Sequence, residues 1–439
     1  MTCGLRTPPS RGKVKFRQGA SDARFTVINP SNAQPLGDYA FAAKADVEAA
    51  IAAAALAFRS WSRTPAMQRS AMLRQVAQRM RDRGAAMAEQ ISRELGKPLA
   101  ESRNEVATAA EMFEWAAEEA RRLYGRTIPA RAEGITQTVV WEPIGPVAAF
   151  SGWNAPAITP SRKISGALAA GCTIVIKPSE ETAGVALHIA HAVQEAGIPA
   201  GVVNMVFGDP GEIADLLCTA PQIAMVTFTG ATSIGKVLAS KAALTLKRAT
   251  LELGGHAPVI VCDDVSVDQL ARKAVATKYR NAGQVCTSPT RFLVQAPIYE
   301  RFCAQFVQAA EAIQVGEPFA AGVQMGPLKN QRRVAAMDAM VQDARQRGLH
   351  VATGGERIDS AGFFYRPTVI LQPSIDCDAA NLEPFGPLAL ISPFEHLDDA
   401  IAQANRLPFG LAAYAFTNHV QRAHRLATEI DSGVVCINE

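Results

Sequence analysis

The chain has 439 residues, of which 48% are hydrophobic and 19% charged, so it can bury large cores and should fold into two or three domains. Its 44 basic and 41 acidic residues give a formal charge of +3, without the blocks of like charge that are typical of nucleic-acid-binding or membrane-surface proteins. The eight cysteines include no C-x-x-C pair, which argues against a disulfide framework or a zinc ribbon and fits a reducing cytoplasm. The longest uncharged runs are too short to span a membrane.

The first residues, 1–19, are basic and rich in proline and glycine but lack the apolar segment of a secretory signal. We expect a short disordered arm that leads into a first strand near Phe25. A cleaved organelle transit peptide is the alternative.

Three alanine-rich segments follow this arm. Residues 44–63, 66–95 and 100–124 carry apolar side chains at helical spacing. This spacing predicts surface helices, each of which packs its apolar face against the rest of the protein. From residue 136 the pattern changes to short apolar runs that contain many β-branched residues and are separated by helical segments.

Strands that alternate with helices of this length are typical of βαβ units and a parallel sheet. The alternation begins again after Cys286, which predicts a second α/β domain. In these two parts of the chain the predicted helices include residues 184–196, 212–220, 298–313 and 330–347.

Two short motifs place reactive groups beside small residues. LELGGHAP contains Glu252 before a pair of glycines, and NAGQVC ends at Cys286. A cysteine thiolate is a nucleophile, and a carboxylate can accept a proton from water. Each residue alone has a structural alternative, as a buried packing cysteine or a carboxylate at a strand end. Taken singly, neither residue establishes a catalytic role.

Polar residues also follow two of the predicted strands. Asn154 comes after VAAF, and Lys177 and Glu180 belong to KPSEET after CTIVIK. The carboxyl edge of a parallel sheet is where ligands bind. The Asn154 amide can donate to an oxyanion, and Lys177 and Glu180 can bind ribose hydroxyls. Ordinary exposed loops are the alternative interpretation.

A third motif, FTGATSIGK, contains Gly230, Thr232 and Gly235 after an apolar run. This spacing is typical of a turn that opens a helix, where the helix N-terminus binds phosphate. The three-glycine fingerprint of most dinucleotide sites occurs nowhere in the sequence.

In their order and spacing, these motifs resemble the aldehyde dehydrogenase superfamily, from VINPSNAQPLG at Val27 to VVCINE at the end. The resemblance implies an α/β fold with a Rossmann-like NAD(P)-binding domain (residues 1–124 and 144–252), a small β oligomerisation element (125–143) and an α/β catalytic domain (253–439). It also implies a homodimer or homotetramer, with NAD as cofactor and NADP possible.

The resemblance implies a role for each matching residue. Cys286 matches the nucleophile and Glu252 the general base, while Asn154 and the backbone amide of Cys286 match the oxyanion hole. The cofactor-binding positions are Trp153, Lys177, Ser179, Glu180, Gly230, Thr232, Gly235, Leu253, Glu383 and Phe385. No metal site is implied.

The sequence also departs from the family pattern. Gly152 and Ala155 replace bulkier residues around Asn154, and Ala231 replaces a common phosphate-binding serine. Because the family continues for some tens of residues past this point, we expect either that the native polypeptide extends beyond Glu439 or that it forms a weakened oligomer.

Two arginines point to the substrate. Arg162 and Arg280 match positions that bind the distal carboxylate in succinate-semialdehyde dehydrogenases and their relatives, and guanidinium groups suit a carboxylate. Structural salt bridges are the alternative, so uncharged aldehydes remain possible substrates. The presence of Glu252 favours a free acid over a coenzyme A thioester as product, and Ser288 excludes a redox pair with Cys286. A non-catalytic protein of the same fold is the remaining alternative.

Overall fold

The computed structural model describes residue 16 and residues 19–439. Most of the predicted N-terminal arm, together with Cys3, therefore lies outside the described residues. The chain divides into two compact units. The first unit runs up to Ile28 and continues with Pro35–Glu94 and Ser102–Glu252, and the second comprises Asn29–Gln34, Leu95–Glu101 and Leu253–Glu439.

Up to residue 252, helices and strands follow the alternation that the sequence predicts. The helices are α1 (Lys44–Trp61), α2 (Ala66–Asp82), α3 (Gly84–Leu95), α4 (Leu99–Ala120), α5 (Ile158–Ala169), α6 (Ala183–Glu195), α7 (Pro210–Thr219) and α8 (Thr232–Ala243). The strands are β1 (Arg24–Ile28), β2 (Pro35–Ala40), β3 (Arg126–Ile128), β4 (Gln137–Val139), β5 (Val147–Phe150), β6 (Ile174–Lys177), β7 (Val203–Met205), β8 (Met225–Thr229) and β9 (Arg248–Glu252).

The prediction of one helix over residues 66–95 is wrong, because α2 and α3 are separate helices. Arg83 leaves the helical conformation, with φ −95° and ψ 5°, at the end of α2. Gly84 begins the next helix, and glycine is a poor residue for a helix interior because its backbone loses the most entropy. A helix break at this pair therefore costs little.

The central sheet of the first unit has five strands in the order β7-β6-β5-β8-β9, and all its neighbours pair in parallel. Strands β5, β6 and β7 are buried along their whole length, as expected where helices cover both faces. The order of connection reverses between β5 and β8, and in such sheets ligands bind beside this reversal at the carboxyl ends of the strands.

Two antiparallel pairs complete the first unit, β1 with β2 and β3 with β4. The pair β3–β4 lies in the stretch 125–143, and its role in assembly stays a prediction.

The second unit contains the remaining elements. Its helices are α9 (Val267–Tyr279), α10 (Ala296–Glu311), α11 (Gln331–Gln346), α12 (Asp378–Asn381), α13 (Leu397–Ala404) and α14 (Val420–Glu429). Its strands are β10 (Ala257–Val261), β11 (Pro289–Gln295), β12 (His350–Thr353), β13 (Thr368–Leu371), β14 (Leu388–Phe394), β15 (Ala412–Phe416) and β16 (Val434–Ile437).

These strands form one seven-stranded sheet in the order β12-β13-β14-β11-β10-β15-β16. Strand β12 pairs antiparallel with β13, and the other pairs are parallel. On one face, Phe292 of β11 packs against Phe302 and Phe306 of α10, with the rings of Phe292 and Phe306 centred 5.0 Å apart. The predicted α/β fold is confirmed. In the part of the chain that the structure describes, no helix combines the length and apolarity needed to cross a membrane.

Candidate active site

Cys286 lies in a loop of the second unit whose backbone is held in an uncommon conformation. A short 3₁₀ segment, Arg280–Gly283, precedes it, and Asn281 and Ala282 have φ values of 50° and 53°. Such conformations cost free energy for residues other than glycine, and they persist where surrounding contacts enforce them. Here the backbone N–H of Asn281 donates to a Glu101 carboxylate oxygen at 3.0 Å.

Gln284 supports the same loop from inside. Its side chain is fully buried, where it donates to the Asn281 carbonyl at 3.0 Å and accepts from the Lys329 N–H at 2.9 Å. Gly255 allows the loop to approach, because a Cβ at this position would lie 2.4 Å from the Cys286 carbonyl oxygen. The backbone at Cys286 is therefore preorganised, as a backbone oxyanion donor requires.

Tyr414 also contacts this loop. Its hydroxyl donates to the Thr287 carbonyl at 2.7 Å. Burial raises the pKa of Tyr414, and its hydrogen bond to Thr287 and the charge of Arg280 act against this increase. Arg280 itself is exposed at the end of α9.

Lys278 is a buried cation near the loop that the sequence analysis missed. Its Nζ donates to the Ser288 hydroxyl at 3.1 Å, and burial lowers its pKa to about 7. The helical spacing of the sequence could have revealed Lys278, because it shares the buried face of α9 with Ala271, Ala274 and Val275. A charged residue on such a face needs a partner.

Glu383 lies in the second unit beside the glycines that follow Glu252 in sequence. Its carboxylate accepts from the Gly255 N–H at 3.1 Å, and a Cβ on Gly254 would lie 2.2 Å from it. Burial raises the pKa of Glu383 to about 6, opposed by the Gly255 hydrogen bond and by the charges of Arg333 and Lys278. Gly255 therefore links the Cys286 loop to Glu383.

Phe385 follows with a positive φ of 42°, and Arg333 holds this turn. The Arg333 guanidinium lies 5.7 Å from the centre of the Phe385 ring and donates to the carbonyls of Pro384 and Phe385. Arg333 is a second residue that the sequence analysis did not single out.

In the first unit, the loops after β5 and β8 flank the point where the strand order reverses. The β5 loop contains Trp153 and Asn154, and the β8 loop contains Gly230, where a Cβ would lie 2.5 Å from the Phe228 ring. Helix α8 begins at Thr232, and its N-cap residue, Ala231, makes no side-chain hydrogen bond to the first turn. Uncapped N–H groups at a helix N-terminus suit phosphate.

The residues after β6 form a compact polar turn. Lys177 is buried at the end of the strand, and its ammonium contacts the Glu180 carboxylate. Ser179 stabilises the turn by accepting from the Glu181 N–H at 3.3 Å. A carboxylate and an ammonium at this edge can bind ribose hydroxyls.

Glu252 ends β9 and is partly exposed. Its two carboxylate oxygens each lie 3.2 Å from Nη1 of Arg162 on α5. The Thr229 hydroxyl donates to Glu252 at 3.4 Å, and the Glu252 carbonyl accepts from the Gly230 N–H at 3.1 Å. The structure therefore brings together two predicted residues, Arg162 and Glu252, that are 90 positions apart.

Lys163 is the third functional candidate that the sequence analysis missed. Its Nζ donates to the Thr227 hydroxyl at 2.9 Å. Burial lowers the pKa of Lys163 to about 8, while Glu252 raises it and Arg162 lowers it further. In the sequence, its position directly after Arg162 could have indicated that Lys163 lies near the same carboxylate.

The features of the first unit can hold part of a dinucleotide, with phosphates at the α8 N-terminus and ribose hydroxyls at the turn that holds Lys177 and Glu180. A parallel sheet with a reversed strand order, as in the first unit, is typical of dinucleotide-binding proteins, and the cysteine loop of the second unit suits a nucleophile.

Comparison with known proteins identifies the family. The sequence profile of the aldehyde dehydrogenase family matches residues 16–439. The chain is 42% identical over 425 residues to a putative 4-(hydroxymethyl)benzenesulfonate dehydrogenase of Comamonas testosteroni, covering 97% of this chain and 88% of that protein. It is 39% identical to an NADP(+) succinate-semialdehyde dehydrogenase of Escherichia coli, covering 94% and 86%.

Among solved structures, the succinate-semialdehyde dehydrogenase from Burkholderia pseudomallei superposes with a TM-score of 0.94 and 38% identity, covering 97% of this chain and 88% of that one. The chain belongs to the aldehyde dehydrogenase family. It is an NAD(P)-dependent oxidoreductase that converts an aldehyde to a carboxylic acid.

Proposed function

We propose that the substrate is an aldehyde with a distal anionic group, of which succinate semialdehyde is the simplest example. The main support for this proposal is the position of the Arg162 guanidinium, which lies 3.2 Å from the Glu252 carboxylate and is half-exposed. A carboxylate from solution can therefore reach it. The succinate-semialdehyde dehydrogenases among the relatives support this choice.

The catalytic roles follow from the chemistry of each residue. The Cys286 thiolate attacks the aldehyde carbon, and the side-chain amide of Asn154 and the backbone amide of Cys286 donate to the oxyanion of the thiohemiacetal. The bound nicotinamide supplies an acceptor for the hydride that leaves this carbon. The thioester that results stays on Cys286.

Hydrolysis completes the turnover. Glu252 accepts a proton from water as the water oxygen attacks the thioester carbon, and the thiolate of Cys286 leaves. We assign Arg162 and Arg280 to the distal anion of the substrate. We assign Trp153, Gly230, Thr232 and Gly235 to the pyrophosphate, and Lys177, Ser179, Glu180, Leu253, Glu383 and Phe385 to the riboses and nicotinamide.

A second candidate substrate is an aromatic aldehyde with an anionic group. A mainly apolar cavity of about 260 Å³ in the first unit is lined by Met112, Trp115, Leu123, Ala169 and Arg162, among others. Its aromatic and aliphatic walls suit a ring, and the relative from Comamonas testosteroni is described as acting on an aromatic sulfonate.

A panel of aldehydes tests both proposals through the formation of reduced cofactor. We expect kcat/KM to be higher for succinate semialdehyde or 4-carboxybenzaldehyde than for butanal or benzaldehyde, the matched neutral compounds. Comparing kcat/KM for succinate semialdehyde with kcat/KM for 4-carboxybenzaldehyde decides between the aliphatic and the aromatic substrate. Equal values for charged and neutral members of both pairs would contradict an anionic substrate.

We also propose a homo-oligomer that is assembled through β3–β4. The stretch that follows β4 exposes 64% of Val140 and 71% of Trp141, and exposed apolar side chains at a sheet edge favour association. Sedimentation of the protein and of its Trp141→Glu variant tests this. We propose the cytoplasm as the location, because a catalytic thiolate must remain reduced.

A further inference from the structure

We propose that Arg162 couples the charge of the substrate to the release of the general base. In the structure Arg162 holds the Glu252 carboxylate, and the distal anion of the substrate takes the place of Glu252 on the guanidinium. Glu252 then becomes available to activate water. This inference rests on the proposed function, because it takes Glu252 as the base.

The ion pair engages the atoms that the reaction needs. A single nitrogen of Arg162, Nη1, lies 3.2 Å from both carboxylate oxygens of Glu252, and the Thr229 hydroxyl also donates to one of them. A general base must direct a lone pair at the water proton. While Arg162 holds both oxygens, Glu252 is oriented towards α5 instead.

The local charge favours the exchange. Two cations of α5, Arg162 and Lys163, lie near the single carboxylate of Glu252, and the pKa of Lys163, about 8, leaves it mostly protonated at neutral pH. They line one part of a cavity of about 350 Å³ with Thr227, Thr250 and Glu252, and the rest of its lining is mainly apolar. One added anion balances this charge, so the cavity attracts a carboxylate.

The exchange also requires that the ion pair between Arg162 and Glu252 separates easily. The Arg162 side chain is 52% exposed and that of Glu252 is 28% exposed, and ion pairs in contact with water contribute little to stability. A substrate carboxylate presents the same planar pair of oxygens as Glu252. It can therefore replace Glu252 without a loss of hydrogen bonds at Arg162.

The step that this release controls is deacylation. The oxygen of water bonds to the thioester carbon, its proton passes to the Glu252 carboxylate, and the C–S bond breaks with its electron pair returning to the Cys286 sulfur. An uncharged aldehyde leaves Arg162 on Glu252. Its thioester should form normally and hydrolyse slowly.

Rapid-mixing kinetics with butanal test the inference, since butanal has the chain length of succinate semialdehyde without its carboxylate. We expect the parent protein to give a burst of reduced cofactor followed by a slow steady rate. Added propionate, a carboxylate without an aldehyde, should raise the steady rate severalfold and leave the burst unchanged. No effect of propionate on the steady rate would overturn the inference.

The Arg162→Gln variant gives the second arm. We expect its steady rate with butanal to rise severalfold and to lose the response to propionate, while its KM for succinate semialdehyde increases. A steady rate with butanal that stays at or below the parent value would overturn the inference. Arg74→Gln is the matched control, because it removes a comparable Arg–Glu pair, Arg74 with Glu118 at 2.8 Å, outside the site.

Failure of the inference and failure of the proposed function give different results. If no aldehyde produced a burst in the parent protein, the proposed catalytic roles would be wrong. A burst that Glu252→Gln retains, combined with insensitivity to propionate and to Arg162→Gln, would leave those roles intact and reject only the coupling.

Discussion

The buried ammonium of Lys177 contacts the carboxylate of Glu180 at the carboxyl edge of the first unit's sheet. This pair leads to the first prediction, a preference for NAD over NADP. Glu180 can accept hydrogen bonds from a ribose 2′-hydroxyl and would repel a 2′-phosphate, which carries close to two negative charges. Lys177 reduces the repulsion without removing it. We expect Glu180→Ser to narrow the ratio of kcat/KM values for the two cofactors, and a parent protein that used NADP more efficiently would refute the assignment.

The second prediction concerns Glu383 and pH. Because burial raises its pKa to about 6 in the folded state, the folded protein binds the proton more tightly than the unfolded chain. The favourable contribution is complete below the unfolded pKa of 4.5 and is lost as the pH rises through about 6, an effect on the order of 2 kcal/mol.

The isosteric variant Glu383→Gln removes this dependence. We expect it to raise the free energy of unfolding at about pH 8. It should also raise KM for the cofactor, since the carboxylate that we assign to a cofactor ribose is lost. Urea unfolding of both proteins between about pH 5 and pH 8 measures the first effect. Identical pH profiles would show that the carboxyl group does not titrate in this range.

The third prediction is that Gly255→Ala disrupts catalysis. Its Cβ would lie 2.4 Å from the Cys286 carbonyl oxygen, so the loop that carries the proposed nucleophile must shift. Misplacement of a catalytic group by about 1 Å can reduce the rate on the order of 10²-fold.

Gly84→Ala is the control, because the nearest atom to its Cβ is 4.0 Å away and alanine favours a helix. We expect it to retain the parent kcat. A Gly255→Ala variant with unchanged kcat would mean that the loop backbone tolerates displacement.

The fourth prediction concerns Arg280 as a substrate residue. Because Arg280 is exposed, an ion pair between it and the substrate contributes about 0.2–1 kcal/mol, so Arg280→Ala should raise KM for succinate semialdehyde by up to about fivefold. The KM for butanal should change little. Comparable increases for both aldehydes would assign Arg280 a structural role.

The sequence predicted the fold well where the pattern is local. Short apolar runs gave the buried strands β5, β6 and β7, because a parallel sheet that is covered on both faces needs continuous apolar segments. The break between α2 and α3 was missed because apolar spacing continues on both sides of Arg83. A single change in backbone conformation does not alter such a pattern.

The candidate site was predictable only in part. Cys286, Glu252 and Asn154 occur in motifs whose chemistry can be read from neighbouring residues. The ion pair between Arg162 and Glu252 depends on how α5 packs near β9, and no local pattern encodes a contact across 90 residues. Lys163 and Lys278 were missed because exposure is the usual expectation for lysine.

The most direct test of the proposed mechanism is a pre-steady-state measurement on the Glu252→Gln variant with NAD and succinate semialdehyde. If Cys286 is the nucleophile and Glu252 the base, the variant will form reduced cofactor in a burst nearly equal to the enzyme concentration. It will then turn over on the order of 10²- to 10⁴-fold more slowly than the parent, while Cys286→Ser will give no burst. Steady turnover of Glu252→Gln at the parent rate, or a burst from Cys286→Ser, would contradict the account.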